Sequence, residues 1–255
     1  MLRTKILPIC FLAMVFSPLA WGQDEEKIKQ LFEDAIQAMG GEAFLNVTDM
    51  TSNGRRFFFD REGRSSNLIK FTDYTKLPDK SRFESGNDKK HRDITVFNLS
   101  TNEGWIQEAY KETREATKEE MEGFKNAVKH SLDIIFRLRY KDPENKAFYL
   151  GPGEGRFVTF DLVRLVDPDN DEITIYFDRM SKLPAKVEYW ESTSRGVRVR
   201  AVDEFSQWHV IQGVNTPKRV DGYVNDRRAF QYFILDITYN NDLEDSLFTK
   251  PLPPD

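Results

Sequence analysis

From Thr48 to the end of the chain, short strand-like runs follow one another, and only one helical stretch interrupts them. That succession constrains the fold more than any other feature. Strands alternating with helices build crossover units and a parallel sheet; strands joined by tight polar turns pair with their sequence neighbours and build an antiparallel one. The runs are 51–60 and 66–74 about the turn 61–64, then 81–84 after Pro78 and Asp79, then 95–99 and 105–109 about the turn 100–104. After the interruption come 148–150, 156–166, 172–177, 185–190, 197–205, 220–224 and 229–239, separated by Pro, Gly, Asp and Asn. Two helices are expected. Residues 24–39 carry Ile28, Leu31, Phe32, Ala35, Ile36 and Met39 at helical spacing and stop at Gly40 and Gly41. A stretch from Thr117 to about Arg139 opens on a capping box, Thr117 with Glu120, and continues through Met121, Phe124, Val128, Leu132, Ile135 and Leu138. One antiparallel β domain with a few helices is the reading.

The segment RRFFFD, 55–60, adds a question. Successive side chains of a strand point to opposite faces, so Phe57 and Phe59 go one way and Phe58 the other. Runs 156–166 and 229–239 are also apolar at both parities, where a sheet with one wet face would alternate cleanly. A helix-packed core with scattered exposed aromatics gives this pattern, and so does a curled sheet around a greasy pocket; periodicity leaves both open.

The N-terminus carries Arg3 and Lys5, an apolar run over 6–16, Pro18, and small residues at Ala20 and Gly22. The run is shorter than the roughly 20 residues a membrane span needs, and the pattern is that of an export signal, residues 1–22, cleaved before Gln23. A membrane anchor is the competing reading. Cys10 sits inside the run rather than after a small residue at its end, so lipidation is set aside. Residues 23–255 then form one domain without cysteine, held by burial alone. Losing Arg3 and Lys5 leaves 35 basic against 42 acidic residues, a net charge of −7. The charges are interspersed, which speaks against nucleic acid as a partner, and no second long apolar run follows, so no membrane span is expected in the mature chain.

Composition and spacing offer no enzyme. His91, His130 and His209 lack ligand spacing, and no metal or other cofactor is expected. Residues 167–171, DPDND, resemble the opening of a calcium loop, but Glu172 stands where glycine is needed, so a polar hairpin turn is expected. The stretch GPGEG, 151–155, lies between strands and reads as a turn, not a phosphate cradle. Ser192, Thr193 and Ser194 have no nucleophile-elbow context.

Four landmarks occur in order: KLPDKSRFE (76–84), Gly104-Trp105, IYFDRMSKLPAKVE (175–188), and NNDL leading to LFTKP within 240–252. With Ala38-Met39-Gly40-Gly41 closing the first helix, this order resembles the periplasmic LolA-like proteins, the outer-membrane lipoprotein-sorting proteins and their relatives, over nearly all of the mature chain. The resemblance implies a mainly β fold: a single curved antiparallel sheet forming an incomplete, half β-barrel, with helices and an apolar cavity on its concave side. It implies a monomeric periplasmic carrier that holds lipid or the acyl chains of lipoproteins and delivers them toward the outer membrane. Phe57, Phe59, Phe71, Trp105, Phe160 and Phe177 become candidate cavity aromatics, with Ile135 and Phe136 on the second helix covering the opening. On this reading Phe57 and Phe59 face the cavity and Phe58 packs at the rim or on the convex side; the period of two leaves the opposite assignment open. One departure stands out. The arginine that precedes the first landmark's proline in the carriers, and helps hold the lid closed, is Leu77 here, which puts such a latch in doubt unless Lys76 or Arg82 substitutes. The alternative function is an interaction or sensor module that binds envelope proteins through a sheet edge; hydrolysis of an envelope substrate is a third.

Overall fold

The computed structural model describes residues 19–88, 92–155, 157–192 and 196–251. Residues 1–18 of the expected export signal lie outside these, as do His91, Thr193, Ser194 and Leu252 of the fourth landmark. The helices are α1 (Leu19–Ala38), α2 (Glu42–Leu45), α3 (Lys118–His130) and α4 (Leu132–Arg137). The strands are β1 (Asp49–Phe58), β2 (Ile69–Lys76), β3 (Lys80–Ser85), β4 (Asp93–Asn98), β5 (Glu103–Gln107) and β6 (Arg114–Glu115), then β7 (Lys146–Glu154), β8 (Thr159–Val166), β9 (Glu172–Asp178), β10 (Pro184–Ser192), β11 (Arg198–Ile211), β12 (Val214–Val224) and β13 (Arg227–Tyr239).

All thirteen strands join one antiparallel sheet in the order β6-β5-β4-β3-β2-β1-β13-β12-β11-β10-β9-β8-β7. Each strand pairs with its predecessor in the chain except β7, which does not pair with β6; the two runs, β1–β6 and β7–β13, are joined where β1 pairs with β13. The edges are β6 and β7, and the helical segment between them carries the chain from one to the other. The sheet curls without closing, so it is an incomplete barrel with its helices on the concave face.

The second helical stretch departs from expectation. It breaks at Ser131, which is extended (φ −69°, ψ 149°). The serine hydroxyl donates to the Val128 carbonyl at 2.8 Å and accepts from the Ile134 N–H at 3.4 Å. A serine can cap a new helix at that point, so an unbroken apolar stripe does not imply one helix. The capping box at Thr117 and Glu120 forms as expected. The stretch 151–155 is corrected: Gly151 to Glu154 belong to β7, with a bulge after Tyr149, and the Gly155 N–H donates to the Val158 carbonyl at 2.7 Å. Pro152 is tolerated because β7 is an edge strand. Strands β11 and β12 run longer than their sequence suggests, because Gln212 and Gly213, at φ 50° and 82°, close them in a two-residue hairpin. Residues 167–171 form the expected polar turn, the Asp167 carboxylate accepting from the Asp169 and Asp171 N–H groups, each at 2.9 Å.

The core lies between the concave face and α1. Phe32 and Ala35 are fully buried against Val163 on β8, Ile173, Ile175 and Phe177 on β9, and Val187 on β10, with Ile135 and Phe136 of α4 closing the side. Asp161, buried on the same face, ties α1 to the sheet: it accepts from Tyr149 at 2.5 Å, Arg179 at 2.7 Å and Lys27 at 3.4 Å. Burial opposes its ionisation, but those donors outweigh the penalty and hold its carboxyl below the usual range. A second, smaller cluster forms on the convex face, where Phe248 and Leu247 of the C-terminal segment cover Ile94, Val96, Tyr74 and Trp105. Lys76 grips that segment through the Leu243 carbonyl (2.8 Å) and Asp245 (2.7 Å), and Arg82 donates to the Leu247 carbonyl at 3.4 Å. Neither residue stands in for a lid latch. Both strap the C-terminus to the outside of the sheet, and Leu77 packs against the main core.

Candidate functional site

Strand register decides which residues share a face. Starting from Val163, Ile175 and Val187 under α1, the ladder leads through Asp203 and Gly222 to Phe230 on β13 and Phe58 on β1. Phe58 therefore faces the concave side, and Phe57 and Phe59 face out. The expected assignment is reversed. Phe57 meets Phe233 edge-on at 6.3 Å, and the Arg228 guanidinium lies over Phe59 at 5.4 Å. Phe160 and Trp105 are also on the convex face. Phe160 packs on Tyr176 beneath Lys186, and Trp105 lies under Lys250 in the C-terminal cluster. Phe177, Ile135 and Phe136 are on the concave side but inside the filled core, each no more than 1% exposed. Of the eight candidates, Phe71 alone lies on the concave floor away from that core.

The concave face has two halves of different character. Under α1 and α4 its side chains are sealed. At the other edge α3 covers β4 and β5, with Phe124 stacked on Phe97 at 4.5 Å and Met121 above Gly104. Between these covers, Phe83 on β3, Phe230 and Tyr232 on β13, Val220 on β12 and Phe205 on β11 are half-buried, although they share the face whose other half is dry. The aromatics interlock along this floor: Phe71 stacks on Phe83 at 5.4 Å and meets Tyr232 edge-on at 5.5 Å, and Tyr232 meets Phe230 at 5.1 Å. Two glycines let the rings lie flat. A Cβ on Gly54 would come within 2.4 Å of the Phe71 ring, and one on Gly222 within 2.1 Å of Phe230. The result is a half-buried strip of aromatic rings between the two helical covers, the candidate for a shallow hollow.

Three polar side chains of this floor stand out. Asp73 on β2 keeps some accessible surface, yet the walls around it exclude most water; that burial pushes its carboxyl up to about 7, against the opposing hydrogen bond from Thr75. Burial likewise pushes Asp203 on β11 up to about 6, although the Tyr189 hydroxyl donates to it at 3.1 Å. Both carboxyls are neutral below those values, which suits an apolar guest. The third is Arg56 on β1, between Phe58 and Phe83. The sequence reading missed all three, together with Phe83, Phe230 and Tyr232. The alternation of Phe230 with Tyr232, and of Phe71 with Asp73, was the available signal. Elsewhere on the concave side, a groove of about 720 Å³ runs between α1 and the edge strand β7, lined by Ile28, Phe32, Tyr140, Ala147, Phe148 and Tyr149 among others.

His130 is buried and bonded to Asp171 at 3.0 Å, within a cluster that includes Arg139, Lys129 and Asp167. That cluster ties the α3–α4 junction to the β8–β9 turn. Among the described residues, no three His, Cys, Asp or Glu side chains are placed to hold a metal ion.

The architecture has counterparts among solved structures. A LolA superfamily protein from Nitrosomonas europaea superposes with a TM-score of 0.56 at 11% identity, over 87% of this chain and 97% of its own. The fold is LolA-like. A DUF1329 family protein from Desulfovibrio piger matches with a TM-score of 0.60 at 12% identity, covering 87% of this chain and 97% of its own. A domain assigned as an outer membrane lipoprotein-sorting protein from Vibrio parahaemolyticus matches with a TM-score of 0.53 at 10% identity, over 89% and 96%. No protein-family model matches the sequence, and no curated protein matches it. Identities this low carry the LolA-like fold and nothing finer. Among the described residues no helix is long and apolar enough to cross a membrane.

Proposed function

We propose that this chain is an exported periplasmic protein that binds the acyl chains of a lipid or lipoprotein in the open half of its concave face. One observation carries the reading: Phe83, Phe230, Tyr232 and Phe205 remain half-buried on a face whose other half is sealed. A solvated aromatic floor gains about 25 cal/mol for each Å² of apolar surface that a guest covers, and each buried methylene adds roughly 0.8 kcal/mol. A chain of several methylenes is thus held without any charged contact. Delivery toward the outer membrane then needs only an acceptor with a competing apolar surface.

Register supplies a sharp test. Phe83→Asp places a carboxylate on the floor and is expected to weaken uptake of a fluorescent fatty-acyl probe at least about tenfold. Phe57→Asp, on the convex face of the neighbouring region, is expected to leave uptake unchanged. Equal effects of the two would remove the hollow from consideration. Native mass spectrometry of the protein purified from periplasm, followed by lipid extraction, is expected to show a co-purifying acylated species.

The interaction reading keeps one specific support. Edge strand β7 is nine residues long and exposes Phe148 and Leu150 beside the groove along α1. An extended peptide could add to that edge. The bulge after Tyr149 and Pro152 within the strand both work against such pairing, which is why the hollow is preferred.

A further inference from the structure

The floor of the hollow contains a cation that no carboxylate among the described residues pairs with. Arg56 projects from β1 into the aromatic half of the concave face, opposite Tyr232 in register. Its guanidinium lies 4.7 Å from the Phe83 ring centre and 5.0 Å from that of Phe58. One nitrogen, Nη2, donates to the Ser85 hydroxyl at 2.8 Å. Its Nε is buried and, among the described residues, has no hydrogen-bond partner. Among the described residues no carboxylate comes within ion-pair distance of it. Asp93, opposite Ser85 on the same face, stays outside ion-pair distance and accepts from the Ala109 N–H at 2.9 Å; the other two nearby acids are turned away or too far along the strand. Glu84 points to the convex face, where Arg82 holds it at 2.7 Å and Arg92 pairs with it as well. Asp73 sits opposite Ser52, four residues along β1 from Arg56, or about 13 Å at the rise of a strand.

An arginine half-buried among aromatic rings without a counter-charge is costly to keep. Glutamine would fill much of the same space without the charge, and neither glutamine nor lysine would present a planar fork of donors. Aromatic faces steady the guanidinium but do not use its in-plane N–H groups. The N–H groups of the two terminal nitrogens that Ser85 does not engage remain for an incoming oxyanion, which such a pair can grip in bidentate fashion.

We infer that Arg56 receives the anionic head, a carboxylate or a phosphate, of a long-chain amphiphile whose tail lies along the Phe83, Phe71, Tyr232 and Phe230 floor. The inference rests on reading the hollow as an acyl site and adds the class of head group. It makes the protein selective for anionic amphiphiles over neutral ones of equal chain length.

The test is displacement of a fluorescent apolar probe at pH 7.5 by hexadecanoate, hexadecyl phosphate and hexadecanol, each below its aggregation concentration, with sodium acetate and inorganic phosphate as tail-less controls. Wild type is expected to bind at least one acid about 10- to 100-fold more tightly than the alcohol, the range that one or two charge-assisted hydrogen bonds supply. The two acids tell a carboxylate head from a phosphate head. Arg56→Gln is expected to bring that acid down to the alcohol's affinity while the alcohol's own affinity stays put, and Arg56→Lys to recover part of the difference. Equal binding of acids and alcohol by wild type overturns the head-group inference and leaves the acyl site standing. Loss of all three ligands together in Arg56→Gln also overturns it, by showing a structural role. Displacement by inorganic phosphate as strong as by hexadecyl phosphate overturns the amphiphile class. Failure of wild type to take up the probe or any long-chain ligand overturns both readings.

Discussion

Replacing Asp73 with asparagine is expected to make the protein more stable at pH 8 and to leave it nearly unchanged at pH 4. The wild-type carboxyl is raised by burial from 3.8 to about 7. Its protonated form is therefore favoured in the folded state. Folded protein binds more protons than unfolded protein between those two values, so stability is greatest below about pH 4, falls as pH rises toward 7, and levels off above it. Three pH units correspond to about 4 kcal/mol; allowing for the water that still reaches the group, roughly 3 kcal/mol is expected. Asparagine has the shape of the neutral acid and does not titrate, so the variant should lack this slope. Urea unfolding at pH 4.5, 6 and 8 measures it directly, and the difference between wild type and variant cancels the other groups. Asp203, raised to about 6, adds a slope of the same sign in both proteins. Glu120, held down to about 2 chiefly by its bond to Arg114, acts the other way and only at acid pH, its contribution being lost as pH falls below the ordinary glutamate range. Parallel stability profiles for wild type and Asp73→Asn would mean that the hollow is wet enough to hydrate a carboxylate freely, and would weaken the case for an apolar guest. A guest that fills the hollow should steepen the wild-type profile, since it removes the remaining water.

Much of the fold is legible in the sequence because antiparallel pairing is local. Nearly every strand pairs with its neighbour in the chain, so recognising the runs and turns is almost enough to order the sheet. The seam between β1 and β13 is not local, and nothing in residues 49–58 or 227–239 announces it. The LolA-like landmarks supply what local pattern does not. Faces are harder. The period of two sorts RRFFFD into Phe57 with Phe59 against Phe58 with Arg56, but it does not say which set turns inward. Two phenylalanines outweigh one on hydrophobicity, and the inward guess follows. The structure chooses the other set because Phe58 shares its face with Phe230, Tyr232 and ultimately Ile175. The outward pair is made tolerable by arginine: Arg228 covers Phe59, and Arg219 covers the Phe233 that meets Phe57. Stacked guanidinium groups let an outer surface carry aromatics, a compensation that residue-by-residue hydropathy cannot see. The same blindness hides Arg56, which hydropathy would assign to solvent.

Replacing Phe32 with alanine is expected to cost roughly 4 kcal/mol, the largest loss from any single side chain considered, and to unseat α1. The ring is fully buried and meets three others: Tyr140 stacked at 4.6 Å, Phe177 edge-on at 5.2 Å and Phe136 at 5.3 Å. Those three come from the segment after α4, from β9 and from α4, so Phe32 joins the first helix to the sheet and to the second helical segment at once. Deleting a buried phenylalanine costs about 3–5 kcal/mol through lost transfer energy and the cavity left behind. Little can collapse into this space, since Ile173, Ile175 and Val163 beneath it are held in the ladder. Chemical denaturation should show the loss as a lowered midpoint with an unchanged slope. The functional consequence follows from what α1 does. It seals one half of the concave face and leaves the other open, and that division keeps the protein's own side chains out of the hollow. A loosened α1 would expose Ile175 and Val187 as a second apolar surface, so Phe32→Ala should bind more of an apolar dye while discriminating less between acyl probes. A variant that lost stability yet kept both the dye signal and the selectivity of wild type would show that the hollow is shaped by the sheet alone, with α1 serving only as ballast for the fold.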